Sequence, residues 1–89
     1  MELDIRDACA SDEADWRRLW AGHLAFHGTE LAPDVTDNTW RRILDPASPM
    51  SMRVACRQGA VIGFATYFPH PSSWIIGDDC YLEDLYVDE

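Results

Sequence analysis

The sequence predicts an α+β domain in which two helices come before an antiparallel sheet. Apolar residues recur at helical spacing in the first half of the chain, whereas in the second half they alternate with polar residues or form short runs. A short alternating segment ahead of the helices adds one more strand. We therefore expect the order β-α-α-β-β-β in one domain over residues 1–89, with no internal repeat or linker.

The first strand and the first helix are predicted near the N-terminus. Residues 3–6 alternate between apolar and polar, which is typical of a short strand. Acidic residues follow and favour the positive end of a helix, where Ser11 or Asp12 can act as the cap. The apolar stripe of this helix consists of Trp16, Leu19, Trp20, His23, Leu24 and His27. Gly28 is expected to end the helix.

A second, shorter helix is expected after a loop over residues 31–35. Thr36 can cap this helix, and Pro46 and Pro49 follow its end, because proline cannot continue a helix. Its inner face would consist of Trp40, Ile43 and Leu44.

The second half of the chain has the period of strands. Residues 50–56 alternate, which predicts a half-buried strand, and Gly59 lies in the turn that follows. Residues 61–68 are nearly all apolar, so we expect this strand to be covered on both faces. A turn over residues 77–79 leads to the last strand, residues 80–87.

The charge of the chain limits its partners. The net charge is −9 and the sequence contains no lysine, which argues against binding to nucleic acid, since that requires a basic face. The acidity is compatible with a cationic small substrate, but solubility alone is the more common reason for such a charge. No apolar stretch approaches the length of a membrane span, so no membrane partner is expected.

The cysteines and the N-terminus predict where the protein works. The three cysteines have neither CxxC spacing nor a histidine partner, which is typical of a reduced protein. The acidic N-terminus lacks the basic and apolar regions of a signal peptide. We therefore expect a cytoplasmic protein.

Two adjacent carboxylates in the last strand are the candidate catalytic groups. Strand alternation would place Glu83 and Asp84 on opposite faces. Tyr81, Leu85 and Val87 would share the face of Glu83, and Leu82 and Tyr86 that of Asp84. Because both faces are mostly apolar, each carboxylate would lie in a dry environment, which raises the pKa of a carboxyl group and suits a base that works near neutral pH. The alternative is that both simply pair with arginines or backbone amides at the sheet edge.

Three segments carry a resemblance to a known family: residues 5–8 (IRDA), 61–65 (VIGFA) and 81–87 (YLEDLYV). In these segments and their spacing the chain resembles the GCN5-related N-acetyltransferases (GNAT). It is most similar to the diamine (spermidine/spermine) acetyltransferase branch, which has a similar Gly-Phe-Ala strand and a similar Tyr-Leu-Glu-Asp strand. That branch also has a tryptophan before a glycine in the connecting loop, here Trp74 and Gly77.

This resemblance implies the N-terminal portion of an acetyl-CoA-dependent N-acetyltransferase that acts on a primary amine of a small molecule. In such enzymes the last of these strands lies beside the pantetheine of acetyl-CoA. Leu85, Tyr86 and Val87 occupy the positions where backbone groups bind this co-substrate.

The same resemblance implies roles for five further residues. Glu83 matches the glutamate that helps to deprotonate the amine, directly or through water, and Asp84 would support the site or the charge of the amine. The segment around Phe26, His27 and Glu30 would border the acceptor site.

The family pattern continues with an Arg/Gln-x-x-Gly-x-Gly/Ala loop that opens a helix and holds the pyrophosphate. The present sequence contains only Asp88 and Glu89 after the last strand, so we expect the 89-residue chain alone to be inactive. The alternative function is that of a truncated, non-catalytic module. Its exposed last strand would then pair with another copy and form a homodimer or a higher oligomer.

The histidines do not form a recognisable metal site. His23 and His27 are four residues apart, but no HExxH pattern surrounds them, and His70 is distant in sequence. We therefore expect no bound metal.

Overall fold

The computed structural model describes residues 3–88 and confirms the predicted α+β class and the order of the elements. The elements are β1 (Asp4–Asp7), a 3₁₀ turn (Ala10–Asp12), α1 (Glu13–Phe26), α2 (Pro33–Leu44), β2 (Ser51–Arg57), β3 (Ala60–Pro71) and β4 (Asp78–Val87). The four strands form one antiparallel sheet in the order β1-β2-β3-β4. Both helices pack on the same face of this sheet, which we call the inner face.

The beginning of α1 agrees with the prediction in position but not in contacts. Asp12 occupies the N-cap position, but its side chain makes no capping hydrogen bond to the helix. Asp12 is buried instead, and its carboxylate accepts two hydrogen bonds of 2.8 Å from the Arg6 guanidinium and one of 2.8 Å from the backbone amide of Cys9. These contacts tie β1 to the start of α1.

The second helix begins earlier than predicted. Pro33 occupies its first turn, where a proline loses no helical hydrogen bond, so the expected loop is largely helical. Thr36 lies inside the helix rather than at its cap. Its hydroxyl accepts a hydrogen bond of 3.1 Å from Trp20 Nε1, which connects the two helices.

The inner face holds the hydrophobic core. Its buried residues are Trp16, Leu19, Trp20, Trp40, Met52, Val54, Cys56, Val61 and Phe64. Trp16 stacks between Trp20 and Trp40, with ring centroids 5.2 and 5.0 Å away. Two predicted core positions are wrong: His27 and Leu44 are exposed, because each lies at the end of its helix.

Within the described part of the chain, the sheet is covered on its inner face and not on its outer face. In β2 the alternation is confirmed, with Met52, Val54 and Cys56 buried on the inner face. In β3 the prediction of two covered faces is wrong, because outer-face residues such as Ala65 are only half-buried. The β2–β3 turn has positive φ at both Gln58 and Gly59, the geometry of a two-residue hairpin turn.

The last strand is longer than predicted. It begins at Asp78, so the expected turn ends at Gly77, whose φ is 102°. No helix in the described part of the chain has the length and the apolar character needed to cross a membrane.

Candidate functional site

An open cleft lies between the C-terminal end of α1 and the second half of β4. One part is a pocket of about 600 Å³, and the adjoining part has about 430 Å³. We call the two together the α1–β4 cleft. The first part is lined by His23, Phe26, His27, Leu85, Tyr86, Val87 and Asp88. The second part shares three of these residues and adds Glu83, Asp84 and several residues of α1 and the loop that follows it.

A β-bulge shapes the wall of this cleft on β4. Thr66 pairs with Asp84 and the next residue, Tyr67, pairs with Leu82. Glu83 is therefore the extra residue, opposite no residue of β3. Bulges of this kind turn side chains away from the regular pleat and are common next to active sites.

The bulge overturns part of the predicted alternation. Asp84 and Tyr86 lie on the inner side, as expected from their shared parity. Before the bulge the faces are exchanged: Tyr81 lies opposite Phe68 on the inner side, with ring centroids 5.3 Å apart, and Leu82 lies on the outer side. Sequence spacing alone could not show this, because an inserted residue leaves no mark in the apolar pattern.

The two carboxylates have different surroundings. Glu83 is exposed, so the expectation of a dry environment is wrong for this residue. Asp84 is half-buried, and its Oδ1 lies 3.2 Å from Nε2 of His23 on α1. The expected alternative of an arginine or a backbone partner is not what binds Asp84; its partner is a buried histidine.

Tyr86 lines the cleft and packs against the core. Its ring lies 5.5 Å from that of His23 and 6.4 Å from that of Phe64. A Cβ atom at Gly22 would come within 2.6 Å of the tyrosine hydroxyl, so a glycine at this point of α1 leaves room for the ring. A glycine inside a helix costs stability, and this close approach is its physical reason.

The backbone of residues 85–87 alternates in direction. The amide of Asp88 donates a hydrogen bond of 2.8 Å to the carbonyl of Ile62 on β3. Antiparallel alternation then directs the backbone groups of Tyr86 towards β3 and those of Leu85 and Val87 towards the open edge of the sheet. Two of the three predicted co-substrate positions thus present free backbone groups within the described structure.

The predicted acceptor residues are not all in one place. Phe26, which is 80% exposed, and His27 both line the α1–β4 cleft. Glu30 lines a separate pocket formed by α1 and the loop after it. Among residues 3–88 there is also no group of three or more His, Cys, Asp or Glu side chains placed to hold a metal ion.

One contributor to the site was missed by sequence reasoning. The spacing of α1 places His23 in the apolar stripe and gives no sign of its hydrogen bond to Asp84. The available signal was a polar residue at a core position of the stripe, because a buried imidazole needs a hydrogen-bonding partner.

Comparisons with known proteins agree with this geometry. The chain is 35% identical over 80 residues to the D-amino-acid N-acetyltransferase HPA3 of Saccharomyces cerevisiae. The matched region covers 88% of this chain and 50% of HPA3. The structure of a possible acetyltransferase from Clostridium difficile 630 has a TM-score of 0.82 at 21% identity and covers all of the chain, which in turn covers 59% of that protein. The chain resembles the N-terminal part of the GCN5-related N-acetyltransferases.

Another solved structure contains a bound ligand. AAC(6')-Iy, in complex with the bisubstrate analog CoA-S-monomethyl-acetylneamine, has a TM-score of 0.71 at 23% identity, and the match covers 99% of this chain and 58% of that protein. The chain spans about half the length of the curated relative it matches. No family model matches the chain. The diamine branch is not confirmed by the relatives named above and stays a prediction.

Proposed function

We propose that the chain is the N-terminal portion of an acetyl-CoA-dependent N-acetyltransferase that acts on a primary amine of a small molecule. The α1–β4 cleft carries this proposal, because it gathers predicted catalytic, co-substrate and acceptor residues from two distant parts of the sequence. The similarity to HPA3, an N-acetyltransferase, supports the reaction class. AAC(6')-Iy binds an analog that joins coenzyme A to an acetylated aminoglycoside, which supports an amine as acceptor.

The open edge of β4 suits the co-substrate. The backbone groups of Leu85 and Val87 point away from β3, so they are free to exchange hydrogen bonds with an extended chain laid along the strand. The pantetheine arm of acetyl-CoA contains amide groups of this kind. Tyr86 would contribute through its side chain, since its own backbone is paired with β3.

The proposed reaction couples a proton transfer to an acyl transfer. The amine nitrogen attacks the thioester carbonyl carbon, a C–N bond forms, and the C–S bond breaks to release a thiolate. Glu83 takes the proton from the amine, directly or through water, and Asp84 stabilises the charge of the approaching ammonium group. Because Glu83 is exposed, a water-mediated route is open to it.

Phe26 and His27 would border the acceptor on the side of α1. Phe26 offers an exposed aromatic surface for the apolar part of an amine, and His27 lies beside both halves of the cleft. Glu30 is near the end of the same helix and would act only on the outer part of a long acceptor.

A chimera tests the proposal. Residues 1–87 would replace the matching region of HPA3, and acetyl transfer from acetyl-CoA to a panel of primary amines would be followed by release of free thiol. We expect turnover that requires both acetyl-CoA and an amine. A folded chimera that transfers acetyl to no amine of the panel would contradict the proposed function.

The second candidate is the non-catalytic, self-associating module. The observation in its favour is the edge strand β4, where Leu82, Leu85 and Val87 are each more than half exposed. The similarity to acetyltransferases favours the enzyme over this module. The two ideas are separable, because association is measured without any substrate.

A further inference from the structure

His23 is the one histidine of the described residues that is buried, and it lies in the wall of the cleft. It is 8% exposed, on the inner face of α1, and it lines both parts of the cleft. Its Nε2 is 3.2 Å from Oδ1 of Asp84, a residue 61 positions further along the chain. This contact joins the two elements that form the cleft.

The chemistry of the two groups fixes their roles. An ionised carboxylate can only accept hydrogen bonds, so Nε2 of His23 carries the hydrogen and donates a hydrogen bond to Oδ1. Within residues 3–88 no other hydrogen bond reaches this carboxylate, so Oδ2 of Asp84 keeps its acceptor capacity. Asp84 is at the same time half-buried and lines the cleft.

We propose that His23 is a positioning residue that holds Asp84 in the cleft so that its free oxygen binds the ammonium group of the acceptor amine. This inference rests on the proposed function and names the recognition step of the same site. It differs from the role of Glu83, which takes a proton during transfer, because the His23–Asp84 pair acts on the charged amine before reaction.

The pair also makes recognition depend on pH. Imidazoles ordinarily change charge between pH 5 and 8. A protonated His23 places a positive charge against Asp84, so the carboxylate attracts an ammonium group less strongly. Amine affinity should therefore fall as the pH is lowered from 7.5 to 5.5.

Other titratable groups share the cleft and have to be told apart from this pair. They are Glu83 and Tyr86 from β4, His27 immediately after α1, and Asp88 immediately after β4. From β3, the neighbour of His23 is Phe64, which does not titrate. His27 is the main competitor, because its ring lies 4.8 Å from that of His23, but it is exposed and makes no hydrogen bond to Asp84 within the described structure.

The test uses the 89-residue chain and NMR. n-Butylamine, which is an ammonium ion at pH 7.5, would be titrated while the signals of His23 and Asp84 are followed, with 1-butanol as the uncharged probe. We expect the amine to shift both signals in a saturable way and the alcohol not to do so. Lowering the pH to 5.5 should weaken amine binding about three- to fivefold, the scale of a single partly exposed charge pair.

Four variants separate positioning from mere structure. His23→Gln keeps a donor for Asp84 but cannot become charged, so it should bind the amine as the wild type does at pH 7.5 and lose the pH dependence. His23→Leu should bind about three- to fivefold more weakly at pH 7.5. Asp84→Asn should abolish saturable binding. His70→Gln, which removes a histidine remote from the cleft, should retain wild-type affinity and pH dependence.

These binding measurements test the inference without any measurement of catalysis. Equal amine affinity of the wild type at the two pH values, an unchanged pH dependence in His23→Gln, or no saturable binding at all would each overturn it. The wild-type pH comparison needs no variant, so a variant that fails to fold leaves the test intact. If the chimera transfers acetyl groups but the amine does not bind in this way, only the inference is contradicted. If the amine binds but the chimera transfers no acetyl group, only the proposed function is contradicted.

Discussion

The two faces of the four-stranded sheet are treated very differently by this chain. On the inner face, two helices bury Trp16 and Trp40, which are 0% and 4% exposed. On the outer face, Ile5, Leu85 and Val87 are each about 60% exposed. The difference teaches that the described residues complete one core and leave a second apolar surface open, and the α1–β4 cleft lies where the two meet.

The inner face and the open edge of the sheet should contribute to different properties: the first to stability and the second to function. The tryptophan cluster should determine whether the chain folds, because large buried side chains dominate the free energy of unfolding of small domains. The open edge of β4 should matter for function and not for stability, because its exposed side chains and free backbone groups contribute little to folding.

The largest effect is expected inside the inner face. Trp16→Ala should lower the free energy of unfolding by about 3–5 kcal/mol, because it removes a fully buried ring from the centre of the cluster. Leu85→Ala on the outer face is the matched control and should change it by about 0.5 kcal/mol or less. Urea unfolding measures both; similar losses in the two variants would mean that the outer face is not open in solution.

The next effect is catalytic and lies at the border of the faces. In the chimera with HPA3, Glu83→Gln should lower turnover roughly a hundredfold at saturating amine, the usual scale for a general base. Glu13→Gln, at the exposed start of α1, is the control and should leave turnover unchanged. Full turnover by Glu83→Gln would move the base to another residue.

A third effect concerns pH and the contact that joins β1 to α1. Hydrogen bonds from the Arg6 guanidinium hold the pKa of Asp12 at about 2, below its ordinary value of 3.8, although burial acts in the opposite direction. Because the folded-state pKa is depressed, this stabilisation is present above pH 4 and is lost as the pH falls from about 4 to about 2. We expect a contribution of about 1–2 kcal/mol, less than the full shift suggests, because Arg6 is 44% exposed.

Asp12→Asn tests this contribution by unfolding at several pH values. The variant should be less stable than the wild type at pH 7, and the difference should shrink between pH 4 and pH 2. A constant difference over that range would show that the contact with Arg6 does not depend on the charge of Asp12.

The smallest effect is expected from association through β4. The exposed edge and its apolar side chains favour a homodimer or a higher oligomer, against the repulsion of a net charge of −9 on each chain. Salt screens this repulsion, so association should strengthen from low to moderate ionic strength.

Sedimentation equilibrium measures this association. Leu85→Arg should weaken it, whereas Val35→Arg, an exposed apolar position on α2, should not. A strict monomer at high protein concentration and moderate salt would contradict the idea that this edge pairs with another copy.

Much of the fold can be predicted from local sequence patterns. Each part of the prediction that is wrong has a physical cause. The tryptophan stripe of α1 and the alternation of β2 were sufficient to predict the inner face, because spacing alone decides which side chains share a surface. The start of α2 differs from the prediction because Thr36 resembles a cap in the sequence, whereas Pro33 suits the first turn of the helix equally well.

The candidate site was predictable in part only. The position of Glu83 and Asp84 in the last strand followed from the resemblance, but the bulge at Glu83 and the bond from Asp84 to His23 arise from pairing between distant segments. Such contacts leave no periodic signal. The roles of these residues in catalysis stay predictions.

The most direct test of the central claim is a calorimetric titration of acetyl-CoA. The claim is that β4 contributes a backbone edge to the co-substrate site, while the remaining contacts come from the part of the relatives that this chain does not span. Two proteins would be compared: the 89-residue chain, verified by intact mass, and the chimera with HPA3. We predict saturable binding by the chimera and no submicromolar binding by the 89-residue chain. Submicromolar binding by the verified chain, or no binding by a folded chimera, would contradict the account.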